Sequence, residues 1–573
     1  MGTQDKKKSF MANVALVMFA QVAIKLLGMI YRVVITNISG FGDLGGGYLN
    51  TGFQVYTLLL AVSSIGIPNA IAKMTSERNA IGDYRGAHKI FKSAFLLFSL
   101  VGAFASLLLY FGSDFIEIIV GIKGTKYVLM CLAPSVFFVC VSSVIRGYFS
   151  GMENMKATSN SQIFEQFFKC LLTVVIVYSL SAIPLILSAV LGTQDIDPDT
   201  KAICLASGAE IATTLSTVFS FIYLLIFYQK RRKRILEKVN SSQAETIKKP
   251  LGEMFKSILM ISIPISLGAI ISAVNRIVDT ATIARGISTA FADMIPAYGH
   301  VAAILNPTTD QLSSEAARLS GQLGKSDTLI NLPLSINIAF STVLVPVIAG
   351  ALKKGDKKTA SEKISYSLLI SMLIALPCAV GYIVLAKPIY GLLYPNAQLG
   401  YDLLQISAVA MIFTALNQTL SGSLQGVGKI FTPAKGLLLG CIVKFILNVI
   451  LIRRPEINIY GAPISSIACQ VISFMYSFSV LKKVVELKMD LKKYVLKPVI
   501  SAVVMGIVAF SIYKLSIVLI HSNLISLILS IGFSAVVYFI LTFAQKTLSE
   551  DEVCELPSGV RILGILKKIG FYK

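Results

Sequence analysis

The stretch from 202 to 229 reads AICLASGAEIATTLSTVFSFIYLLIFYQ, and Lys230-Arg-Arg-Lys-Arg234 follows it directly. Its only charged residue is Glu210. A helix needs about 20 apolar residues to cross the hydrocarbon core of a bilayer, and clusters of Lys and Arg mark the cytoplasmic end of such a helix. The stretch therefore predicts a transmembrane helix that ends in the cytoplasm.

The composition extends this prediction to most of the chain. Of its 573 residues, 55% are hydrophobic and 14% are charged, and the mean hydropathy is +0.74. Soluble proteins average about 25% charged residues. These values exclude a soluble enzyme, a disordered scaffold and a small disulfide-rich secreted domain.

Runs of about 20 apolar residues predict an all-α integral membrane protein with 14 transmembrane helices. These form two pseudo-symmetric six-helix lobes and two extra C-terminal helices. The predicted domains are an N-lobe (1–229, spans 1 to 6), a basic cytoplasmic linker (230–255), a C-lobe (256–481, spans 7 to 12), spans 13 and 14 (482–545) and a cytoplasmic tail (546–573). The predicted spans cover 10–36, 47–73, 90–112, 127–148, 162–186, 202–229, 256–285, 326–350, 364–386, 401–426, 436–452, 461–481, 498–519 and 524–545.

The distribution of positive charge predicts the orientation. Lys and Arg exceed Asp and Glu by 22, and they concentrate in alternate segments between spans, starting with the N-terminal one. This bias places both termini in the cytoplasm, and it explains the net charge without a nucleic-acid partner. The linker over 230–255 is interpreted as a topology determinant, with an anionic-lipid or protein site as the alternative.

The two lobes carry matching sequence features, which indicates an internal duplication. Ser63-Ser-Ile-Gly-Ile-Pro68 has a counterpart in Ser341-Thr-Val-Leu-Val-Pro346, with the same spacing from Ser to Pro. A second match has a constant offset of 275 residues: Gly147, Gly151 and Lys169 recur as Gly422, Gly426 and Lys444. Because both lobes begin in the cytoplasm, a pseudo-twofold axis along the membrane normal is expected.

Six residues are predicted to act in gating or helix packing. Two Gly-x-x-x-Gly pairs allow helices to approach closely, and packing is the preferred interpretation for them. Prolines interrupt helices and commonly mark moving parts, and Pro264 and Pro377 are further prolines within spans. The six residues are Pro68, Pro346, Gly147, Gly151, Gly422 and Gly426.

Charged residues inside predicted spans are the main functional candidates, because a charge at mid-bilayer costs several kcal/mol. Lys25 and Arg32 are two helical turns apart and share one face of the first span. Arg276 and Asp279 lie three residues apart in the seventh span, either as a private ion pair or as a cationic site with an acid that tunes it. These four are the predicted substrate-binding residues.

Three further residues are secondary candidates: Glu165, Lys169 and Lys444. Glu165 and Lys169 are four residues apart in the fifth span, a spacing that favours a self-neutralising ion pair. Lys444 has no acid near it in sequence. Fixed cations within the membrane suit an anion, and Arg and Lys are the usual phosphate ligands. The charges therefore indicate a transporter with an anion-binding cavity.

No sequence pattern predicts catalysis or a cofactor. The eight cysteines form no C-x-x-C pair, the three histidines lie far apart, and no P-loop, H-E-x-x-H or G-x-S-x-G sequence occurs. We predict no catalytic residue, no metal site and no cofactor, and a protein that is not an enzyme.

Several short motifs together carry a family resemblance. They are Lys25-Leu-Leu-Gly28 with Tyr31-Arg32, Gly66-Ile-Pro68 with Gly82-Asp-Tyr84, Arg146-Gly-Tyr-Phe-Ser-Gly151-Met with Gln162 and Glu165, Asp279-Thr280, Asn331-Leu-Pro333, and Leu344-Val-Pro346. Through these motifs nearly the whole chain resembles the polysaccharide-exporter branch of the multidrug/oligosaccharidyl-lipid/polysaccharide (MOP) flippase superfamily, most closely the stage V sporulation protein B group and the lipid II flippases.

That resemblance implies two six-helix lobes that face each other in a V, with a central cavity that opens alternately to either side. It also implies headgroup contact by Lys25, Arg32 and Arg276, and a lipid-binding groove lined by spans 13 and 14. Residues 287–311 depart from the family pattern and look like an insertion in an outward loop.

The implied function is that of a flippase in the bacterial cytoplasmic membrane. It would move an undecaprenyl-pyrophosphate-linked saccharide, such as a lipid II-like cell-wall or spore-cortex precursor, from the inner to the outer leaflet. The expected partners are this lipid-linked oligosaccharide and the membrane lipids, and the expected state is a monomer. Membrane potential or a coupled ion would drive it, with Asp279 as the coupling acid.

Two other functions are weighed against the flippase. A multidrug or cation antiporter of the same superfamily is the alternative, but the basic excess and the predicted span count argue against it. A membrane glycan polymerase would require paired carboxylates or a D-x-D motif beside a large outer loop. The predicted outer segment 286–325 has no such pattern.

Overall fold

The computed structural model confirms an all-α membrane fold. It describes residues 21–61, 63, 66–183, 188, 192, 196–242, 250–297, 302–353, 356–485, 487, 490–554, 559–569 and 571–572. The predicted first span, 10–36, therefore lies partly outside the described residues.

The first half of the chain contains nine described helices and one small β-ribbon. The helices are α1 (21–36), α2 (Gly42–Ala61), α3 (Ile67–Ala80), α4 (Tyr84–Phe111), α5 (Ser113–Val120), α6 (Thr125–Gly151), α7 (Lys156–Ala182), α8 (Pro198–Asn240) and α9 (Leu251–Ala290). The ribbon consists of β1 (Met294–Ile295) and β2 (Ile304–Leu305), which pair antiparallel with Met294 opposite Leu305. It lies within residues 287–311, which also include the end of α9 and the start of α10, and the departure of this segment from the family pattern stays a prediction.

The second half contains a further nine described helices. They are α10 (Thr309–Lys353), α11 (Lys357–Leu393), α12 (Tyr401–Gly426), α13 (Thr432–Leu451), α14 (Gly461–Val485), α15 (Lys497–Ile520), α16 (Asn523–Ala544), α17 (Glu550–Cys554) and α18 (Gly559–Ile569). The last two helices belong to the predicted cytoplasmic tail.

Eleven helices in the described part of the chain are long and apolar enough to cross a bilayer. They correspond to predicted spans 3 to 7 and 9 to 14. The three other predicted spans fall on α1, on α2 with α3, and on α10. The total of 14 is consistent with these helices and stays a prediction.

The helices group into two compact units. The first unit contains residues 1–325 and 448–459, and the second contains 326–447 and 460–573. This division differs from the predicted lobe boundary at 256, because α9 contacts α2, α3, α4 and α5 of the first unit. The two compact units are thus not the same segments as the two sequence repeats, and the repeat-based lobes stay a prediction.

Helix α6 is the centre of the first unit. Of its most hydrophobic stretch, 72% is buried within the protein, and it contacts α2, α3, α4, α5, α7 and α8. A helix that is apolar on all sides is buried by its neighbours. Of its hydroxyls, that of Ser135 donates to the Leu132 carbonyl at 2.6 Å, whereas those of Ser142 and Ser143 are buried without a hydrogen-bond partner.

The two prolines of the sequence repeat lie in different helical positions. Pro68 lies in the first turn of α3, which starts at Ile67, where proline needs no hydrogen-bond donor. Helix α10 instead continues through Pro346. The prediction that Pro346 interrupts a helix is therefore wrong.

The predicted linker over 230–255 is also largely helical. Helix α8 continues to Asn240, and Leu251 starts α9, so only 241–250 connects the two helices. Two Arg85 nitrogens, Nε and Nη2, donate to the Val239 and Asn240 carbonyls at 3.0 and 3.1 Å, satisfying carbonyls that have no partner within the helix. At the other end, the backbone N–H of Thr200 donates to the Asp197 side chain at 3.1 Å, and hydrogen bonding to Thr200 holds the pKa of Asp197 below its usual value.

In the second unit, the C-terminal pair α15 and α16 packs on α11. Pro377 lies inside α11 and has no N–H, so the carbonyl of residue 373 loses its helical partner. The Tyr538 hydroxyl of α16 donates to this Leu373 carbonyl at 3.0 Å. Helix α16 thus supplies a hydrogen-bond donor to the Leu373 carbonyl, which Pro377 leaves without a helical partner.

The described part of the tail packs against α11 within the second unit. Leu548, Val553, Leu566 and Tyr572 form a buried cluster with residues of α11 that include Tyr366. The Tyr366 hydroxyl donates to the Glu552 carbonyl at 3.1 Å, and the Lys493 ammonium lies 2.7 Å from the Glu552 carboxylate.

Candidate functional site

A buried arginine joins three helices of the first unit. Arg146 of α6 is 6% exposed. Its Nε donates to the Ser161 hydroxyl at 2.9 Å, and its Nη2 donates to the Glu165 carboxylate at 2.6 Å and to the Ser220 hydroxyl at 2.9 Å. Because Ser161 and Glu165 belong to α7 and Ser220 belongs to α8, this network ties the three helices together.

The predicted ion pair between Glu165 and Lys169 is wrong. Glu165 pairs with Arg146, whereas the Lys169 ammonium lies over two aromatic rings, 4.7 Å from the centroid of Phe53 and 5.7 Å from that of Tyr31. The helical spacing allowed the pair, but a guanidinium from another helix satisfies the acid with better geometry. Lys169 is left with cation–π contacts.

A second acid of the first unit is more deeply buried. Glu210 in α8 is 1% exposed, and neither of its carboxylate oxygens accepts a hydrogen bond. The charges of Lys169 and Arg32 both act on it. The structure therefore brings two predicted cations towards an acid that was not among the predicted site residues.

Two other predicted cations come together on different helices. Lys25 lies on α1 and Arg276 on α9, both exposed, and the positive charge of Arg276 acts on Lys25. Arg32, two turns further along α1, is half-buried. The first unit thus presents like charges from α1 and α9 close to each other.

Asp279 takes part in a polar cluster within the first unit. The Asn448 amide nitrogen donates to the Asp279 carboxylate at 3.0 Å and to the Thr282 hydroxyl at 2.9 Å. Thr282 in turn donates to the Val278 carbonyl at 2.6 Å. Lys444 lies one turn before Asn448 on α13 and is buried.

Three of the four predicted glycines lie at close helix contacts. A Cβ at Gly147 would lie 2.7 Å from the Pro68 carbonyl oxygen, and one at Gly151 would lie 2.6 Å from that of Ala72. In the second unit, a Cβ at Gly422 would lie 2.8 Å from the Ser341 carbonyl oxygen. Gly426 is the last residue of α12.

The start of α10 packs against α2 within the first unit. A Cβ at Gly47 would overlap the Ala317 carbonyl, and one at Gly321 would overlap that of Asp43. Beside this contact, the Lys325 ammonium lies 2.5 Å from the Asp43 carboxylate, with the two side chains 5% and 9% exposed. Two glycines and a buried ion pair therefore hold these helices together.

No metal centre is found in the part of the chain that the structure describes. Among those residues, no three His, Cys, Asp or Glu side chains are grouped so that they could hold a metal ion.

The sequence matches two family models. One, described as polysaccharide biosynthesis protein, matches residues 10–352, more than half of the chain. The chain belongs to the polysaccharide biosynthesis protein family. The other model, described as lipid II flippase MurJ, matches residues 274–533. Together the two models confirm the resemblance to the polysaccharide exporters and lipid II flippases.

Individual members of this group are similar over most of their length. The lipid II flippase MurJ of Bacillus subtilis (strain 168) is 27% identical over 499 residues, which cover 84% of each chain. Stage V sporulation protein B of the same organism is 23% identical over 563 residues, covering 97% of this chain and 99% of the relative.

Solved structures confirm the fold of the polysaccharide biosynthesis protein described here. The inward closed conformation of a lipid II flippase MurJ matches with a TM-score of 0.65 and 15% identity, covering 93% of this chain and 99% of that one. The inward-facing conformation of a MATE family multidrug transporter of the MOP superfamily matches with a TM-score of 0.60 and 13% identity, covering 82% and 100%.

Sequence reasoning missed four contributors to these clusters. Arg146 lies near the end of a predicted span, where a cation usually reaches the interface, and its acid partner is on the next helix. Glu210 was visible as the only charge in its span. Asn448 and Asp43 carried no signal, because an uncharged amide is ordinary in a span and Asp43 lies outside the predicted ones.

Proposed function

We propose that this protein is a flippase for an undecaprenyl-pyrophosphate-linked saccharide in the bacterial cytoplasmic membrane. It would move its cargo from the inner to the outer leaflet by alternating access, without covalent chemistry. Membership of the polysaccharide biosynthesis protein family supports this proposal, and so do the names of its relatives, a lipid II flippase and a sporulation protein.

One observation carries the choice of an anionic cargo. Lys25 and Arg276 come from helices far apart in sequence, and their like charges act on each other. Bringing two cations together within the membrane costs free energy. An anion between them attracts both cations and so offsets their repulsion. A pyrophosphate has enough oxygens to accept hydrogen bonds from both the Lys ammonium and the Arg guanidinium.

The other predicted residues receive roles around this pair. Arg32 follows Lys25 on α1 and would contact the second phosphate or the first sugar. Asp279 lies one turn from Arg276, and its hydrogen bond from Asn448 ties α9 to α13. It is the residue we assign to ion coupling, since its charge would weaken the hold of Arg276 on an anion.

The test is translocation of headgroup-labelled lipid II in proteoliposomes under an imposed membrane potential. The wild type is compared with Lys25→Ala and Arg276→Ala. We expect the wild type to flip the lipid and both variants to lose most of that activity, because each loses a direct contact with the pyrophosphate.

Lys123→Ala is the matched control, because it removes an exposed cation between α5 and α6 whose ammonium lies 2.9 Å from the exposed Asp310 carboxylate. It should flip lipid II like the wild type. Full activity in Lys25→Ala and Arg276→Ala would overturn the site assignment. A folded wild type that flips no lipid-linked pyrophosphate, and instead exchanges organic cations, would favour the antiporter.

A further inference from the structure

The first unit contains a carboxyl group that the proposed anion site does not use. Glu210 is 1% exposed, and neither carboxylate oxygen accepts a hydrogen bond. The Thr213 hydroxyl, three residues along the same helix, donates to the Ala209 carbonyl at 3.3 Å. The surrounding part of α8 is built of small buried residues, among them Ala206 and Ala212.

Ionisable groups from four other helices lie around Glu210 in the described part of the chain. Lys169 on α7 and Arg32 on α1 act on it as positive charges. Tyr56 on α2 and Cys131 on α6 are ionisable groups on which its charge would act. The two cations are therefore the charged groups that favour the carboxylate form of Glu210.

Neither cation forms a salt bridge with Glu210 in this structure. The Lys169 ammonium is held against the rings of Phe53 and Tyr31 at 4.7 and 5.7 Å. A carboxylate buried without a hydrogen bond or a contacting cation costs several kcal/mol. The free energy of this arrangement is lowest when Glu210 is the neutral acid.

We infer that Glu210 is a proton-binding site that controls whether Lys169 is available to an anion. With the proton bound, Lys169 stays with the aromatic rings and its charge can attract an anionic headgroup. When the O–H bond breaks, the electron pair stays on the carboxylate and water accepts the proton. The new carboxylate then competes for Lys169. The anion part of this inference rests on the proposed function, whereas proton binding at Glu210 does not.

The first experiment reads the proton directly. Infrared spectra of the full-length protein in lipid are recorded over a pH series, and the Glu210→Gln spectrum is subtracted from that of the wild type. We expect the carbonyl stretching band of a protonated carboxylic acid in the difference at neutral pH, and we expect this band to disappear as the pH rises. Glu165→Gln is the matched control, because Glu165 is paired with Arg146 and its removal should leave the band in place.

A second variant tests the link to Lys169 while keeping Glu210. Removing a nearby cation disfavours the carboxylate, so Lys169→Gln should move the loss of the band to higher pH. A band that titrates as in the wild type would overturn the coupling to Lys169. A difference spectrum without the acid band at any pH would overturn the proton site itself.

The flipping assay then separates this inference from the proposed function. Wild-type flipping should decline with rising pH in step with the infrared band, and Glu210→Gln, which mimics the neutral acid, should show no such decline. A wild type that does not flip any lipid would refute the proposed function, yet the infrared band would still test the proton site. Parallel declines in the wild type and Glu210→Gln would contradict control by Glu210.

Discussion

The α6–α7 pair of the first unit and the α12–α13 pair of the second half are matched by the sequence repeat, yet they differ in charge. At the 275-residue offset, Arg146 corresponds to Ser421 and Glu165 to Gly440. The first pair of helices is joined by an ion pair at 2.6 Å. The second has no charged residue at either position, although Lys169 and Lys444 are conserved between the two copies.

Packing explains why the second copy cannot hold the acid. A Cβ at Gly440 would overlap the carbonyl of Cys469, so α13 contacts α14 too closely there for a Glu side chain. Neutral contacts hold this half together instead: the Thr419 hydroxyl lies 2.5 Å from that of Ser371 and 3.3 Å from that of Ser341. Two helix arrangements with matching sequence are thus stabilised by charge in one copy and by hydroxyl groups in the other.

The largest expected effect is the loss of the charge in the first copy. Arg146→Ala leaves the half-buried Glu165 carboxylate without its partner and removes the guanidinium donors to Ser161 and Ser220. Removing one member of a fully buried pair costs about 3 kcal/mol or more, and the cost is smaller here because water reaches part of Glu165. We expect a large drop in the thermal unfolding midpoint in detergent, whereas Ser421→Ala at the matched position should unfold like the wild type.

The double variant Arg146→Ala/Glu165→Ala is a second test, because it also removes the Glu165 carboxylate that Arg146→Ala leaves without a partner. It should recover part of the stability lost in Arg146→Ala. An unfolding midpoint of Arg146→Ala equal to that of Ser421→Ala would show that the two copies do not differ as described.

A smaller effect should be shared by the two copies. Ala at Gly147 or Gly422 would place a methyl group 2.7 or 2.8 Å from a backbone oxygen of the neighbouring helix. Such overpacking costs about 2 kcal/mol, more than the helix propensity that Ala adds. Both variants should lower the unfolding midpoint to a similar extent.

Gly532→Ala provides the control, because no heavy atom lies within 4 Å of a Cβ at that position of α16. It should be neutral or slightly stabilising. If Gly147→Ala is destabilised and Gly422→Ala is not, the close packing of the helices differs between the two copies, and not only their charge.

The smallest effect concerns a neutral contact that only the second half has. Tyr538→Phe removes the donor to the Leu373 carbonyl that Pro377 leaves without a helical partner. One unsatisfied backbone group costs about 1 kcal/mol. The unfolding midpoint should fall slightly, and Tyr178→Phe, whose ring is 63% exposed, should not change it. Equal midpoints for the two variants would argue against this role of Tyr538.

Much of this fold was predictable from hydropathy and charge alone. Predicted spans 3 to 7 and 9 to 14 correspond to observed helices, because apolar length and flanking charge decide membrane insertion locally. Contacts between helices were not predictable in the same way. Glu165 pairs with Arg146 and not with Lys169, and α9 belongs to the first compact unit. Both contacts depend on residues that are distant in sequence.

The candidate site was predicted only in part, for a related reason. A charged residue within an apolar segment is a clear sequence signal, and this signal identified Lys25, Arg32, Arg276 and Asp279. Asn448 could not, since an amide carries no charge, and the helical break predicted at Pro346 was wrong because a proline can be accommodated within a continuous helix when its neighbours satisfy the backbone.

Native mass spectrometry of bound lipid tests most directly whether cations of the first unit hold an anionic lipid headgroup. Wild-type protein, Lys25→Gln/Arg276→Gln and Lys123→Gln are each incubated with an undecaprenyl-pyrophosphate-linked saccharide. We predict that the wild type and Lys123→Gln carry the lipid and that the double variant does not. Equal occupancy in all three proteins would contradict this prediction.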